Sequence, residues 1–442
     1  MGLCEVITGK KKFHGGIAIP HCKNTAQCET IKMGVPEKVT IPMLQHVGEP
    51  CKVLVKKGDE VKVGQLIGAS GKYVSAPIHS SVSGTVTDIS KMVCMNGAYV
   101  DAVEIKTDGR QEIHESVKPP SYHNDAELLE LIKGSGLVGL GGAAFPTHVK
   151  LSPPKEKVID TLIVNGAECE PYITSDYREM VENSWNIISG IYILKDLLKA
   201  KQVLIGVEDN KPEAIKIMTN IANTSGKIDI IKLKTRYPQG AEKMLIYALT
   251  GRKVPSRRLP MDVGVIVMNV NSVSFVAEYV KTGMPLIKKR VTVDGPVVNN
   301  PSNVEVLIGT HLSDVFEFCG GFKEEPYKVI MGGPMMGVSQ HSLENPVLKF
   351  TNAILAFDRK TAESVKKESP CIRCAKCVQV CPMNLLPLFL NASSIRRNTA
   401  GLKKYNVMDC IECGCCSYIC PAKRHLVQSI RLGKVLLRKE ES

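Results

Sequence analysis

Tryptophan is nearly absent from this 442-residue chain, which has one, and aromatic residues together make up only 5%. Proteins that hold single-stranded nucleic acid stack bases on such rings. The net charge of +13 is therefore not a nucleic-acid signal, since the basic residues are dispersed and stacking platforms are scarce. No apolar run approaches the roughly 18 residues that cross a bilayer. The opening Met1-Gly2-Leu3-Cys4-Glu5 lacks the charged-then-apolar character of a secretory leader. With hydrophobic residues at 44% and charged residues at 23%, a mainly disordered chain is excluded. At ~150 residues per domain, the length predicts about three domains.

What the chain has in quantity is cysteine, sixteen in all. Eight form two runs of one spacing, Cys371-x-x-Cys374-x-x-Cys377-x-x-x-Cys381-Pro382 and Cys410-x-x-Cys413-x-x-Cys416-x-x-x-Cys420-Pro421. The others (Cys4, Cys22, Cys28, Cys51, Cys94, Cys169, Cys319, Cys415) share no spacing. A disulfide framework suits short exported chains, so it is a poor reading here. Paired zinc knuckles use two Cys-x-x-Cys pairs per ion, and three thiols strung this tightly do not suit one tetrahedral ion. The runs match bacterial two-[4Fe–4S] ferredoxins, in which the fourth cysteine of each run ligates the other cube. One cube is expected on Cys371, Cys374, Cys377 and Cys420, the other on Cys410, Cys413, Cys416 and Cys381. Cys415, inside the second loop, is expected to be a bystander. Arg373, Lys376, Lys423 and Arg424 stand close enough in sequence to raise the cube potentials.

The remainder reads as multidomain α/β and β. Residues 1–115 show short strands such as 51–55 and 84–89 between glycine turns. The segments Val55-Lys56-Lys57-Gly58-Asp59 and Ser83-Gly84-Thr85-Val86 resemble the biotinyl/lipoyl-type barrel-sandwich hybrid. The Gly68–Tyr73 hairpin lacks the Met-Lys-Met signature, which leaves Lys72 an ordinary exposed lysine and the domain a scaffold. Residues 116–285 alternate helix and strand. The pattern predicts a helix over 125–133 capped by Asn124, a helix over 210–220 with Pro212 in its first turn, and strands over 161–165, 203–208 and 263–269. Residues 286–340 return to short strands, 341–365 read as a linker, and 366–442 form the cysteine domain. That domain ends in a basic amphipathic helix over 425–439, expected to pack on it with the basic face in water.

Two segments carry ligand-binding chemistry. The first runs from Gly134 to Lys150. Its opening satisfies G-x-G-x-x-G but follows a helix rather than a strand, so it is not a dinucleotide fingerprint. Its second half places bare backbone at Gly139, Gly141 and Gly142, where N–H groups can approach an anion or a flat ring. Phe145-Pro146-Thr147 then opens a helix expected to favour phosphate, with Lys150 adding positive charge. The second segment, Val164-Asn165-Gly166-Ala167-Glu168-Cys169-Glu170-Pro171, puts polar groups at the end of a buried strand, where α/β sheets bind ligands.

At these residues the chain resembles the NADH-binding flavoprotein subunit of respiratory complex I. The Gly139–Lys150 loop looks like its flavin loop. Asn165-x-x-Glu168-x-Glu170-Pro171, Tyr237-Pro238-Gln239-Gly240-Ala241-Glu242 and Asn269-Val270-Asn271-Ser272 are similar to its next three motifs, in the same order. Ala167, Cys169 and Ala241 depart from the usual Asp, Gly and Glu. The two-cluster tail, with Phe13-His14-Gly15-Gly16 and Ile41–Gly48, resembles the C subunits of Rnf complexes over nearly the whole chain. The resemblance implies a barrel-sandwich hybrid, an α/β domain binding FMN and NAD(H), a β-grasp soluble-ligand-binding-like module and a two-[4Fe–4S] domain. It implies non-covalent FMN lined by Gly139, Gly141, Gly142, Ala143, Phe145 and Lys150. Asn165, Tyr237, Gly240, Asn269 and Ser272 would complete that pocket, with Glu168, Glu170 and Glu242 on the nicotinamide side. It further implies a peripheral subunit on the cytoplasmic face of the membrane. Its partners would be the other Rnf subunits, including an iron–sulfur subunit and integral membrane subunits, with ferredoxin reached indirectly. A cluster-only wiring subunit without flavin and a soluble NADH-flavoprotein subunit are the alternatives.

Overall fold

The computed structural model describes residues 7–9, 11–94, 97, 99–225, 228–362 and 367–441. Its central sheet has five parallel strands in the order Ile7–Thr8, Asp229–Leu233, Gln202–Glu208, Thr161–Gly166, Val265–Asn269. The two central strands, Gln202–Glu208 and Thr161–Gly166, carry continuous apolar runs because both faces are covered. Leu162 and Val164 pack under Ser184–Leu198 and Val270–Thr282. Ile163 faces the other way, onto Leu245 and Leu249 of Glu242–Thr250.

From Thr161–Gly166 the chain steps outward through two strands and then returns to lay Val265–Asn269 on the opposite side. The order therefore reverses between these two strands. Asn165 and Asn269, at their carboxyl ends, are partners in register. Open α/β sheets bind ligands in the crevice at such a reversal. The expected helix starts at Asp125 with Asn124 accepting from the Glu127 amide at 3.0 Å.

Around this unit stand three others. A four-stranded antiparallel sheet (Lys38–Pro42, Tyr99–Thr107, Gly84–Val93, Glu60–Val61) faces a three-stranded one over a core of Val39, Ile41, Ile67, Ile78 and Val103. A six-stranded mixed sheet runs Val338–Gln340, Lys328–Met331, Ala353–Phe357, Lys288–Asp294, Ser302–Leu307, Thr30–Lys32. The 341–365 stretch is thus not simply a linker, since Ala353–Phe357 is fully buried or nearly so inside this sheet. The cysteine domain closes on Leu390, Leu402, Val407, Ile430 and Leu437. Its last helix, Leu426–Glu441, does not leave its basic face wholly in water. Arg431 and Lys434 reach Glu412 at 2.8 and 2.6 Å, and Lys434 also donates to the Cys410 carbonyl at 2.6 Å.

Candidate active site and cluster loops

The two cysteine runs fold alike. Arg373 and Ala375 lie between the cysteines of the first, Glu412 and Gly414 between those of the second, and all four have positive φ. This backbone turns N–H groups inward, and the Arg373 and Glu412 amides each donate to a cysteine sulfur, Cys371 and Cys410, at 3.4 Å. Such donors stabilise anionic sulfur. Cys371, Cys374, Cys377 and Cys420 line a cavity of about 590 Å³. Cys381, Cys410, Cys413 and Cys416 line a second, apolar one with Leu385, Leu390 and Ile430. Among the described residues no three His, Cys, Asp or Glu side chains are grouped to hold a single metal ion. Sulfurs spaced around a cavity suit the bulk of a cube. The first loop is outward, with Cys371 and Cys374 exposed, while Cys381, Cys413 and Cys416 are buried. Cys415 is also buried, and its hydrogen bond to Cys413 holds that thiol below its usual range.

The glycine-rich segment forms a closed turn, with Gly139 N–H on the Phe145 carbonyl at 2.9 Å. The Leu140 amide donates to Ser272 Oγ at 3.0 Å, tying the turn to the helix that Asn269 caps. Gly141 lies against Asn269, whose amide nitrogen a Cβ there would meet at 3.1 Å. Gly142 has a φ of +100°, and a Cβ on it would meet only Asn352, at 3.8 Å. Ala143 is exposed beside it and Phe145 is half-buried. This bare, open turn at the sheet reversal fits a flat ring system. The following helix is a single turn, Thr147–Lys150, because Pro153 and Pro154 stop it. It is too short to supply the expected phosphate-favouring terminus. Lys150 instead pairs with Glu242 at 2.7 Å and donates to the Val267 carbonyl at 2.8 Å. The expected phosphate cation and nicotinamide-side carboxylate thus hold each other.

Asn165 donates to the Gly240 carbonyl at 2.9 Å. The loop beginning at Tyr237 therefore sits on the strand end. Glu168 does not open toward a second nucleotide. Its positive φ turns it inward, where its buried carboxylate accepts from the Asp176 amide at 2.6 Å and the Tyr177 amide at 3.3 Å. Burial pushes its carboxyl up to about 7, against the pull of Lys23. Glu170 accepts from the Met335 amide at 3.1 Å, its second oxygen is buried without a partner, and burial raises it to about 7. Tyr237 is 2% exposed and donates its hydroxyl to the Cys413 carbonyl at 2.8 Å, away from the glycine turn.

Reading the sequence missed Asp176, which accepts from Asn269 at 2.8 Å and from Asn271 at 2.6 Å. It also missed Lys289, whose ammonium donates to the Leu140 carbonyl at 3.0 Å. Strand parity was a usable signal for Lys289, which shares the buried face of its strand with Val291 and Val293.

Family models match in four segments. Residues 11–110 match the RnfC barrel sandwich hybrid domain and 132–278 the Nuo51 FMN-binding domain. Residues 290–339 match the SLBB domain and 370–423 the 4Fe-4S dicluster domain. The multidomain α/β and β architecture is therefore as expected. The chain is 45% identical, over 96% of its length and 93% of the relative's, to the C subunit of the proton-translocating ferredoxin:NAD(+) oxidoreductase complex of Clostridium ljungdahlii. It is 44% identical to the Na(+)-translocating counterpart of Acetobacterium woodii, covering 96% of each. It is 41% identical to the C subunit of the ion-translocating oxidoreductase complex of Rhodobacter capsulatus, covering 96% of this chain and 82% of that one. Among solved structures, an NAD+-reducing [NiFe]-hydrogenase in the H2-reduced state is similar at 18% identity and a TM-score of 0.49, covering 71% of this chain and 63% of that one. With its paired cysteine loops, its bare turn at the sheet reversal and the three oxidoreductase relatives matched nearly end to end, the chain belongs to the family of C subunits of ion-translocating ferredoxin:NAD+ oxidoreductase (Rnf) complexes.

Proposed function

We propose that this chain is the peripheral NAD(H)-reacting subunit of a ferredoxin:NAD+ oxidoreductase complex on the cytoplasmic face of the membrane. It holds FMN without a covalent bond at the sheet reversal and two [4Fe–4S] cubes on its eight paired cysteines. Bound FMN supplies the exchange between a two-electron hydride and single electrons, which nicotinamide and a cube cannot make directly. The protein's part is to bind, align and exclude water. Gly142 leaves room for a ring beside the turn, Gly141 lets the turn lie against Asn269, and the Asn165 and Asn269 carboxamides bracket the strand ends. No side-chain acid or base is assigned to the hydride step.

One observation carries this reading. The Tyr237–Gly240 loop takes a hydrogen bond from Asn165 on one side and gives one to Cys413 on the other. The same short loop thus touches the flavin side and the buried cluster loop. Cys381, Cys410, Cys413 and Cys416 would hold the buried cube on the flavin side, and Cys371, Cys374, Cys377 and Cys420 would hold the outer one, each cube supplying one-electron transfer when bound. Exposed Ile372 and Ile395 and the cation of Arg373 surround that outer site and suit an acidic iron–sulfur partner subunit. No helix among the described residues is long and apolar enough to cross a membrane, so ion movement is assigned to partner subunits.

The test is anaerobic reconstitution with iron, sulfide and FMN, followed by NADH titration with optical and EPR detection. Bleaching of the flavin and the appearance of reduced-cube signals are expected. Flavin that binds yet does not bleach with NADH rules the reading out.

A further inference from the structure

Three lysines withdrawn from solvent play no part in the reaction above, and each holds a backbone carbonyl in one of the two loops at the sheet reversal. Lys289, 4% exposed, comes from the β-grasp sheet and donates to the Leu140 carbonyl at 3.0 Å. Lys211, 3% exposed, follows strand Gln202–Glu208 and donates to the Ala167 carbonyl at 2.7 Å. Lys23, with its side chain 15% exposed, comes from the N-terminal segment and donates to the Glu168 carbonyl at 2.9 Å and the Glu170 carbonyl at 2.8 Å. Burying an ammonium is costly unless it is well bonded. Carboxylates contribute at some distance, Glu208 3.6 Å from Lys211 and Glu168 4.0 Å from Lys23.

A trans peptide is planar, with C=O and N–H on opposite edges. Holding the Leu140 carbonyl therefore turns the Gly141 N–H away from Lys289. In the same way Lys211 aims the Glu168 N–H, and Lys23 aims the Cys169 N–H. Among the described residues, none of these three amides donates to a protein acceptor. Flavin presents acceptors, in its ring carbonyls and its phosphate, and preset backbone donors serve such groups.

We propose that Lys23, Lys211 and Lys289 are positioning residues of the flavin site, each fixing one peptide plane so that the Cys169, Glu168 and Gly141 amides donate to the bound cofactor. This rests on the flavin reading above. It assigns to lysines from outside the two loops a task that the glycines alone would leave to a floppy backbone.

Hydrogen exchange on the intact, cluster-loaded chain tests it without a substitution. The three amides exchange fast without FMN and become protected at saturating FMN. Unchanged exchange at all three overturns the proposal. Lys289→Met is expected to weaken FMN binding about tenfold, or about 1.4 kcal/mol, and to shift the flavin midpoint potential. Lys289→Arg, which keeps a donor, restores binding to within about threefold. A Lys289→Met chain with full iron content, wild-type FMN affinity and unchanged potential also overturns it. Should that variant fail to fold, the exchange result on the natural chain decides alone. A natural chain that binds no FMN overturns the flavin reading itself, whereas FMN binding with indifferent amides and lysines overturns only this inference.

Discussion

Cys415 and Cys413 are two residues apart and differ in what their sulfurs do. Both line the inner cluster cavity and both pack with Ile17, Ile19 and Tyr237, but only Cys413 stands in the repeated spacing, while Cys415 hydrogen-bonds to it. Cys415→Ser should therefore keep about eight irons per chain, while Cys413→Ser should lose about half of them. Iron and sulfide analysis separates the two, and equal losses would make Cys415 a ligand. Residues of this kind were legible where spacing or strand ends mark them. The cysteine runs and Asn165 follow from pattern, while Asn269 was implied by the family resemblance. Lys23 has no such mark, because its carbonyl partners lie more than a hundred residues away and only the fold brings them together. The directions of Glu168 and Lys150 depend on a positive φ and on a neighbouring carboxylate that no local pattern encodes.

Among the elements, the helices Ser184–Leu198 and Val270–Thr282 meet most closely at Gly190, where an added Cβ would lie 2.0 Å from the Val273 carbonyl oxygen. The second helix is capped by Asn269, so its placement sets the floor under Gly141. Gly190→Ala should destabilise the chain by roughly 2 kcal/mol or more, as overpacking does. It should weaken FMN binding as well, measured as a lower unfolding midpoint with a raised flavin dissociation constant. Wild-type values for both would show that the helices yield freely. Three of the five parallel strands were readable as apolar runs, whereas Asp229–Leu233, which carries Asp229 and Lys232, and the two-residue edge Ile7–Thr8 were not. The helix after the glycine-rich turn was overestimated because the two prolines that end it lie beyond the motif. Ala353–Phe357 was read as linker because its sheet partners, Lys288–Asp294 and Lys328–Met331, are distant in sequence.

The whole molecule is joined by buried polar clasps. Lys349 donates to Pro77 in the barrel-sandwich unit at 2.6 Å and to Gly136 at the start of the glycine-rich segment at 2.7 Å. Burial pushes its ammonium down from 10.5 to about 7. Between those values the unfolded chain holds a proton that the folded one has released. Stability from this group therefore rises with pH across that window. Denaturation midpoints taken at about pH 7 and 9.5 should rise more in the natural chain than in Lys349→Met, and equal slopes would contradict this. The two cubes also occupy unequal places. Cys374→Ser should remove the outer cube, leave flavin bleaching by NADH intact and leave one reduced-cube EPR signal, while transfer to a one-electron protein acceptor falls sharply. Retained transfer would mean that electrons exit elsewhere. Finally, the earliest described segments are sheet edges for units completed much later. Ile7 pairs with Ile231, and Ile31 pairs with Val304. A ribosome releases both edges long before their neighbours exist, so neither sheet can be finished in the order of synthesis. The nascent amino-terminal segment must wait unpaired, and a chain shortened at that end strips two different sheets of an outer strand at once.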